Sequence, residues 1–288
     1  MRKSFWELAT EFAGVENELW ALNELFNREM YCTKTSAAKT GVKYYINRDS
    51  YLQWAAENAI TSPSIGHLFR RLGLDGLIKR IDAGGKIKPD EFLLYMETLY
   101  NLVRLANTKT QWSAIAVATL VQIRSSIEAN CARLGYEIQK RGDRKYIIVE
   151  KDAAATAVAD KYAAENQDFS FKVIEYNHFI LRGNIDRKRE ILLAIGQKFE
   201  SVRPQLESGN FKDVAKDAGL LLNKLNIRHN NTSPDSKSYN AVVAQMPPKE
   251  LEVWYDKTYS VLLLALLADD FSTLHKEIKE LKAQIETK

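Results

Sequence analysis

The chain has 288 residues, with 41 Lys and Arg against 37 Asp and Glu, a formal charge of +4. That balance is too mild to nominate a nucleic-acid partner by charge alone, and 45% apolar with 27% charged residues is ordinary globular composition. Six prolines and 13 glycines are few for this length, which excludes collagen-like, disulfide-scaffold and disordered classes and predicts long uninterrupted helices.

Phe5, Leu8, Phe12, Val15, Leu19, Leu22, Phe26 and Met30 recur at steps of three and four, one face of a helix that Trp6 and Trp20 widen. The same stretch carries acids too early, and lacks the apolar run, for a signal peptide. Residues 31–50 lose the period: TKTSAAKTG reads as a loop and VKYYI as a short strand. Tyr51 to Ile60 is helical again, and residues 61–89, with Pro63, Pro89 and five glycines, read as short helices and turns. Pro89 and Asp90 start a helix whose face is Phe92, Tyr95, Met96, Leu99 and Val103. A second long helix carries Trp112, Ile115, Leu120, Ile123, Ile127 and Leu134 and stops at Gly135. Cys131 sits on that stripe, and Cys32 is the only other cysteine, so the pair makes neither a disulfide framework nor a zinc site. A reducing, cytoplasmic setting is expected.

YEIQK and KYIIVE flank Arg141-Gly142-Asp143-Arg144, a β-hairpin pattern near residues 136–149. Its basic tip reads either as a wing for a ligand or as a solvated turn. The hairpin is the expected domain boundary, dividing a helical part at 1–134 from a bundle at 135–288. Asp152 caps an Ala-rich helix to about Asn166. Phe169 to Leu181 forms another, stopped by Gly183. Asp186 caps a third, with Ile191, Leu192, Ile195, Phe199 and Val202 inside and Pro204 beyond its end. Phe211, Val214, Ala218, Leu221 and Leu225 mark the next helix, and a long polar loop follows at 230–246. Pro247 and Pro248 open the last large helix, apolar nearly all round to about Leu267 and therefore central. Behind it Leu274, Ile278, Leu281 and Ile285 form a heptad-like stripe that packs on the body or pairs two chains. The fold class expected is mainly α, a multi-helix bundle with one small hairpin. The longest apolar run, Tyr259 to Leu267, has nine residues where a membrane span needs about 20, so no membrane partner is expected.

Nucleophile-elbow, phosphate-loop, dinucleotide and His-Glu-x-x-His patterns are absent, and the four histidines at 67, 178, 229 and 275 are scattered. Neither a metal nor a cofactor is expected. Chemistry concentrates instead in Asn226, Arg228, His229, Asn230 and Asn231. Helical spacing would put Arg228 and His229 three and four residues past Leu225, on the side that buries Leu221 and Leu225. A histidine there can exchange the proton of a ribose hydroxyl or leaving oxygen, and an arginine can stabilise phosphate charge. The asparagines would orient backbone or base. The same residues also make a plain helix C-cap. A second cluster, Glu175, Asn177, His178 and Arg182 on one helix, is followed by Arg187, Lys188 and Arg189. It reads as phosphate contacts or as an ion-pair network around a core histidine.

The stretches EYNHFILRGNIDRKREIL (175–192), LLLNKLNIRHNN (220–231) and WYDKTYSVLLLALL (254–267) resemble the HEPN superfamily, in particular bacterial defence proteins of the abortive-infection type. The resemblance implies a helical bundle, often a homodimer, acting as a metal-independent endoribonuclease. It assigns catalysis to Arg228 and His229, the first two positions of the family's Arg–polar–three-residue–His motif. Ser233 stands where the final histidine belongs. Either His229 supplies the acid–base group, or the site only binds RNA, nucleotide or a partner. The expected function is thus an antiviral effector, of abortive-infection or toxin–antitoxin type, that binds and cleaves RNA. An antitoxin or sensor protein is the second expected partner, and His178, Arg182, Arg187, Lys188 and Arg189 support RNA binding. The alternative is a non-catalytic helical module that binds protein or nucleotide.

Overall fold

The computed structural model describes residues 12–27, 29–31, 39–41, 46, 48–106, 114–141 and 145–286. Residues 1–11, most of VKYYI, Cys32, Trp112 and the hairpin tip Gly142–Arg144 lie outside them. The protein is mainly α and divides into two compact units, Met1–Glu150 and Lys151–Lys288. Among the described residues no helix is long and apolar enough to cross a membrane.

The first unit contains α1 (Val15–Asn27), a short antiparallel pair β1 (Glu29–Tyr31) and β2 (Lys39–Gly41), α2 (Arg48–Glu57), α3 (Ile65–Arg71), α4 (Leu77–Asp82), α5 (Pro89–Arg104), α6 (Ala114–Leu134) and the hairpin β3 (Tyr136–Lys140) and β4 (Tyr146–Glu150). Its core is what the helical period selects: Leu19, Leu22 and Phe26 of α1, Phe92, Tyr95, Met96, Leu99 and Val103 of α5, and Leu120, Ile123, Ile127 and Cys131 of α6. Trp20, expected to widen the α1 face, is exposed instead. The β1–β2 pair falls partly within the stretch that reads as loop.

Helix α5 starts where Pro89 fixes φ, and the Glu91 carboxylate accepts the Lys88 N–H at 2.7 Å. Gly135 takes φ +82°, the left-handed step that ends α6 and turns the chain into β3. The hairpin pairs Tyr136 with Glu150 through Lys140 with Tyr146. Its outer edge is pinned to α5 by side chains: the Asn101 amide donates to the Tyr146 carbonyl (2.8 Å) and accepts the Tyr146 N–H (2.9 Å), and Glu97 accepts the Ile148 N–H (2.7 Å). These bonds close the edge of β4 and place the hairpin in the first unit, so the division falls after Glu150 rather than at 134/135.

The second unit holds α7 (Ala153–Ala163), α8 (Gln167–Glu175), a 3₁₀ turn at Phe179–Leu181, α9 (Ile185–Ser208), α10 (Lys212–Lys224), the single turn α11 (Ala241–Ala244) and α12 (Pro248–Glu286). Asp152 caps α7 by accepting from the Ala154 and Ala155 N–H groups, as its sequence predicts. Asn184, not Asp186, caps α9. Pro204 lies inside that helix rather than beyond it. The helix expected over 169–181 ends at Glu175, because Tyr176–His178 turn the chain into the 3₁₀ segment. Helix α12 runs unbroken for 39 residues and joins what reads as a core helix and a separate tail. Tyr255, Tyr259, Leu262, Leu263, Ala265 and Leu266 make it the centre of the unit.

Candidate functional site

Helix α10 stops at Lys224, before the two residues expected to share its face. Asn226 adopts φ +58°, a position helices reserve for Gly or Asn, and the Arg228 N–H returns to the Leu222 carbonyl at 3.0 Å. The reversal separates Arg228 from His229. The Arg228 guanidinium, 18% exposed, reaches α9, where it donates to the Gly196 carbonyl (2.9 Å) and pairs with Glu200 (2.5 Å). Gly196 makes this approach feasible: a Cβ there would meet Leu222 at 2.8 Å and Arg228 at 3.5 Å. His229 is exposed and has no bonding partner among the described residues. The expectation that both side chains project from one buried side is therefore corrected, and the C-cap reading describes the local geometry.

The asparagines fold the loop. Asn226 and Asn231 bond reciprocally, each N–H to the other's side-chain oxygen (2.8 and 3.0 Å). Asn231 is fully buried, donates to the Ser238 carbonyl (2.6 Å) and accepts the Asn240 N–H on its own carbonyl (2.9 Å). Asn230 accepts the Thr232 and Ser233 N–H groups. Two of the three are thus occupied in closing 226–240 onto itself, and Asn230 makes the turn at its tip.

The second cluster is an ion-pair network. Arg187 grips Glu175 bidentately (2.8 and 2.9 Å) and reaches Glu190 (2.9 Å). Lys188, buried, lies between Glu252 and Asp256 at 2.8 Å each. Tyr176 donates to the same Asp256 oxygen (2.9 Å) and stacks on Tyr259 at 4.0 Å between centroids, while Tyr259 donates to the Val173 carbonyl (2.7 Å). Burial, reinforced by Asp256, pushes the Tyr176 hydroxyl far above its ordinary range, and burial does the same to Tyr259. Burial works to raise Glu252, yet the bonds from Lys188 and the Gly183 N–H leave it lowered. Each hydroxyl stays protonated at neutral pH and each charge is balanced, so this set locks α8, α9 and α12 together. Arg187 and Lys188 are occupied there and do not stand open to phosphate. His178 ends up beyond α8, packed edge-on against Phe179 at 4.9 Å, and Arg182 is exposed on the extended residue after the 3₁₀ turn. Only Arg189 joins the two clusters, its Nε donating to the Ile227 carbonyl at 3.3 Å with no carboxylate partner among the described residues. The Tyr255 hydroxyl is buried without a bonding partner among the described residues and pushed up to about 12 by burial.

Two cavities among the described residues lie in the first unit, where sequence reading assigns nothing. One, of about 680 Å³, is lined by Phe26, Ile46, Tyr51 and Phe69 with Asn23 and Asp75 at its polar side. The other, of about 730 Å³, brings Arg104, Arg124, Lys140, Tyr146 and one carboxylate, Glu57, against Val103 and Leu120. Arg104 lies 4.7 Å over the Tyr146 ring and donates to its hydroxyl at 2.6 Å. Arg124 has no partner among the described residues. Both volumes are in the range of small-molecule sites. Residues from α2, α5, α6 and the hairpin meet there at sequence separations that no local pattern reveals. Comparisons of the chain with protein-family models, with curated proteins and with solved structures found no match.

Proposed function

We propose that the second unit is a HEPN-like bundle of antiviral defence that binds RNA, and that its 226–231 segment serves binding rather than cleavage. The observation that carries this reading is the difference between two neighbours. His229 is exposed and uncommitted, whereas Arg228 is neutralised by Glu200 and held on the Gly196 carbonyl. Metal-independent cleavage needs a cation aimed at the charge that develops on phosphate and a histidine within reach of the same atom. Here the cation is engaged elsewhere, and Ser233 occupies the motif's last position. Arg189 bonds to the Ile227 carbonyl, two residues before the exposed His229, and on this reading the two residues would offer phosphate oxygens a cation and a ring N–H. On this reading the protein works in the cytoplasm, and an antitoxin or sensor protein controls it.

Two measurements on the folded wild type, Arg228→Ala and His229→Ala test it. Total RNA from cells expressing each protein should be intact in all three. Single-stranded RNA should bind the wild type with an affinity that falls as salt rises, and His229→Ala should weaken it about threefold. RNA degradation that disappears in His229→Ala would make the protein a nuclease. No binding at low salt would leave a non-catalytic module that binds protein.

A further inference from the structure

The C-terminal part of α12 leaves the bundle. Lys161 holds the helix at Asp270 (2.7 Å) and at the Leu266 carbonyl (2.9 Å), and Phe271 meets Phe211 edge-on at 5.8 Å. Beyond His275 every described side chain to Glu286 is exposed. The apolar ones are ordered, not scattered. Phe271, Leu274, Ile278, Leu281 and Ile285 follow steps of three, four, three and four, a 3.5-residue period that draws one straight seam on a helix. Leu281 is 56% exposed and Ile285 65%. Beyond Phe271, which rests on the bundle, the four side chains Leu274, Ile278, Leu281 and Ile285 stand exposed on one helix and form a face that no described residue covers.

We propose that this seam pairs with the same segment of a second copy of the chain, as a short parallel two-stranded coiled coil. The register says which occupant and which direction. Phe271, Ile278 and Ile285 fall at a, Leu274 and Leu281 at d. Ile at a with Leu at d is the combination that favours two parallel strands. The flanking charges agree. Glu277 falls at g and Lys282 at e, five residues on, which is the spacing that brings g of one strand against e of its parallel partner. A parallel dimer therefore makes two Glu277–Lys282 pairs. An antiparallel one would set g against g and e against e, placing like charges together. The helix is already nucleated by the bundle, so pairing does not have to bear the cost of starting a helix.

The test uses the full chain. Sedimentation velocity should show a monomer–dimer equilibrium with a dissociation constant of about 1–100 µM, and Ile278→Asp with Leu281→Asp should leave only monomer with an unchanged far-UV spectrum. Glu277→Lys and Lys282→Glu should each weaken the dimer about fivefold, and an equimolar mixture of the two should recover wild-type affinity. Leu281→Cys should cross-link to itself under mild oxidation where the wild type does not, since parallel strands in register place residue 281 opposite 281. A wild-type monomer at every concentration, or a dimer that survives the double aspartate variant, would overturn the proposal. Failure of the mixture to recover, or of Leu281→Cys to cross-link, would overturn the parallel arrangement.

Discussion

Lys188 and Arg124 are both cations beside aromatic or apolar neighbours, yet they do opposite things. Lys188 lies buried over the Tyr176 ring between two carboxylates, and Arg187 beside it grips a third. Arg124 lines a cavity with Arg104, Lys140 and Glu57, yet bonds to none of the described residues. A run such as Arg187-Lys188-Arg189 looks like an anion site because the chain places its charges together. In the fold, carboxylates from Glu175, Glu252 and Asp256 come in from other helices and cancel two of the three. The cavity cations come from α5, α6 and β3, and no motif marks them. Local density of charge along a chain says little about which charges remain available; the acids that arrive from elsewhere decide it.

The largest expected effect is alkaline. Tyr176, Tyr255 and Tyr259 have folded-state pKa values raised above their ordinary value of 10.0. Below pH 10 both folded and unfolded chains keep these protons, so stability is untouched. Above it the unfolded chain releases them first, and stability should fall by about 1.4 kcal/mol per pH unit for each tyrosine. Urea midpoints between pH 8 and about 11 check this, and a flat profile would mean that the cluster does not hold these hydroxyls protonated.

Next is Lys188→Met, which strands Glu252 and Asp256 and should cost about 3 kcal/mol, less whatever relief the half-exposed Asp256 finds in water. Arg124→Met in the cavity should change stability by under about 0.5 kcal/mol. Equal losses in the two variants would erase the distinction between a committed and an available cation. Asn101→Ala should cost about 2 kcal/mol by unpinning β4, and amide exchange should quicken selectively at Tyr146 and Ile148. Gly196→Ala forces Leu222 aside and should cost about 1–2 kcal/mol by thermal melting. Smallest of all, His229→Ala should leave the melting temperature unchanged, because that side chain is exposed and bonds to none of the described residues.

The helices were legible because burial follows a period: the α5 face, and Leu120, Ile123, Ile127 and Cys131 of the α6 stripe, are buried where spacing selects them, while Leu134 is only half-buried. Their ends were harder. Asp186 is as good a cap by type as Asn184, and only the backbone at 184 decides between them. The hairpin was readable as a hairpin, but its allegiance rests on Asn101 and Glu97, whose amide and carboxylate bond to backbone about 45–50 residues away. At the candidate site, chemistry was visible and direction was not. Spacing places Arg228 and His229 side by side only while the helix continues, and a single left-handed residue, Asn226, sends one inward and the other to solvent. Nothing in the identity of Asn226 distinguishes a residue that orients a base from one that turns the chain.

Helix α12 has one consequence of a mechanical kind. At about 1.5 Å per residue its 39 residues make a rod of about 58 Å, and no glycine or proline interrupts it after Pro248. Its inner half is clamped by the core through Tyr255, Tyr259 and Leu262, so the angle at which Leu281 points is set some five turns away. The rod therefore transmits torque: a twist applied at its free end must be absorbed by the packing around Tyr259. A fluorophore placed at an outer position such as Lys279 would report the orientation of the core itself.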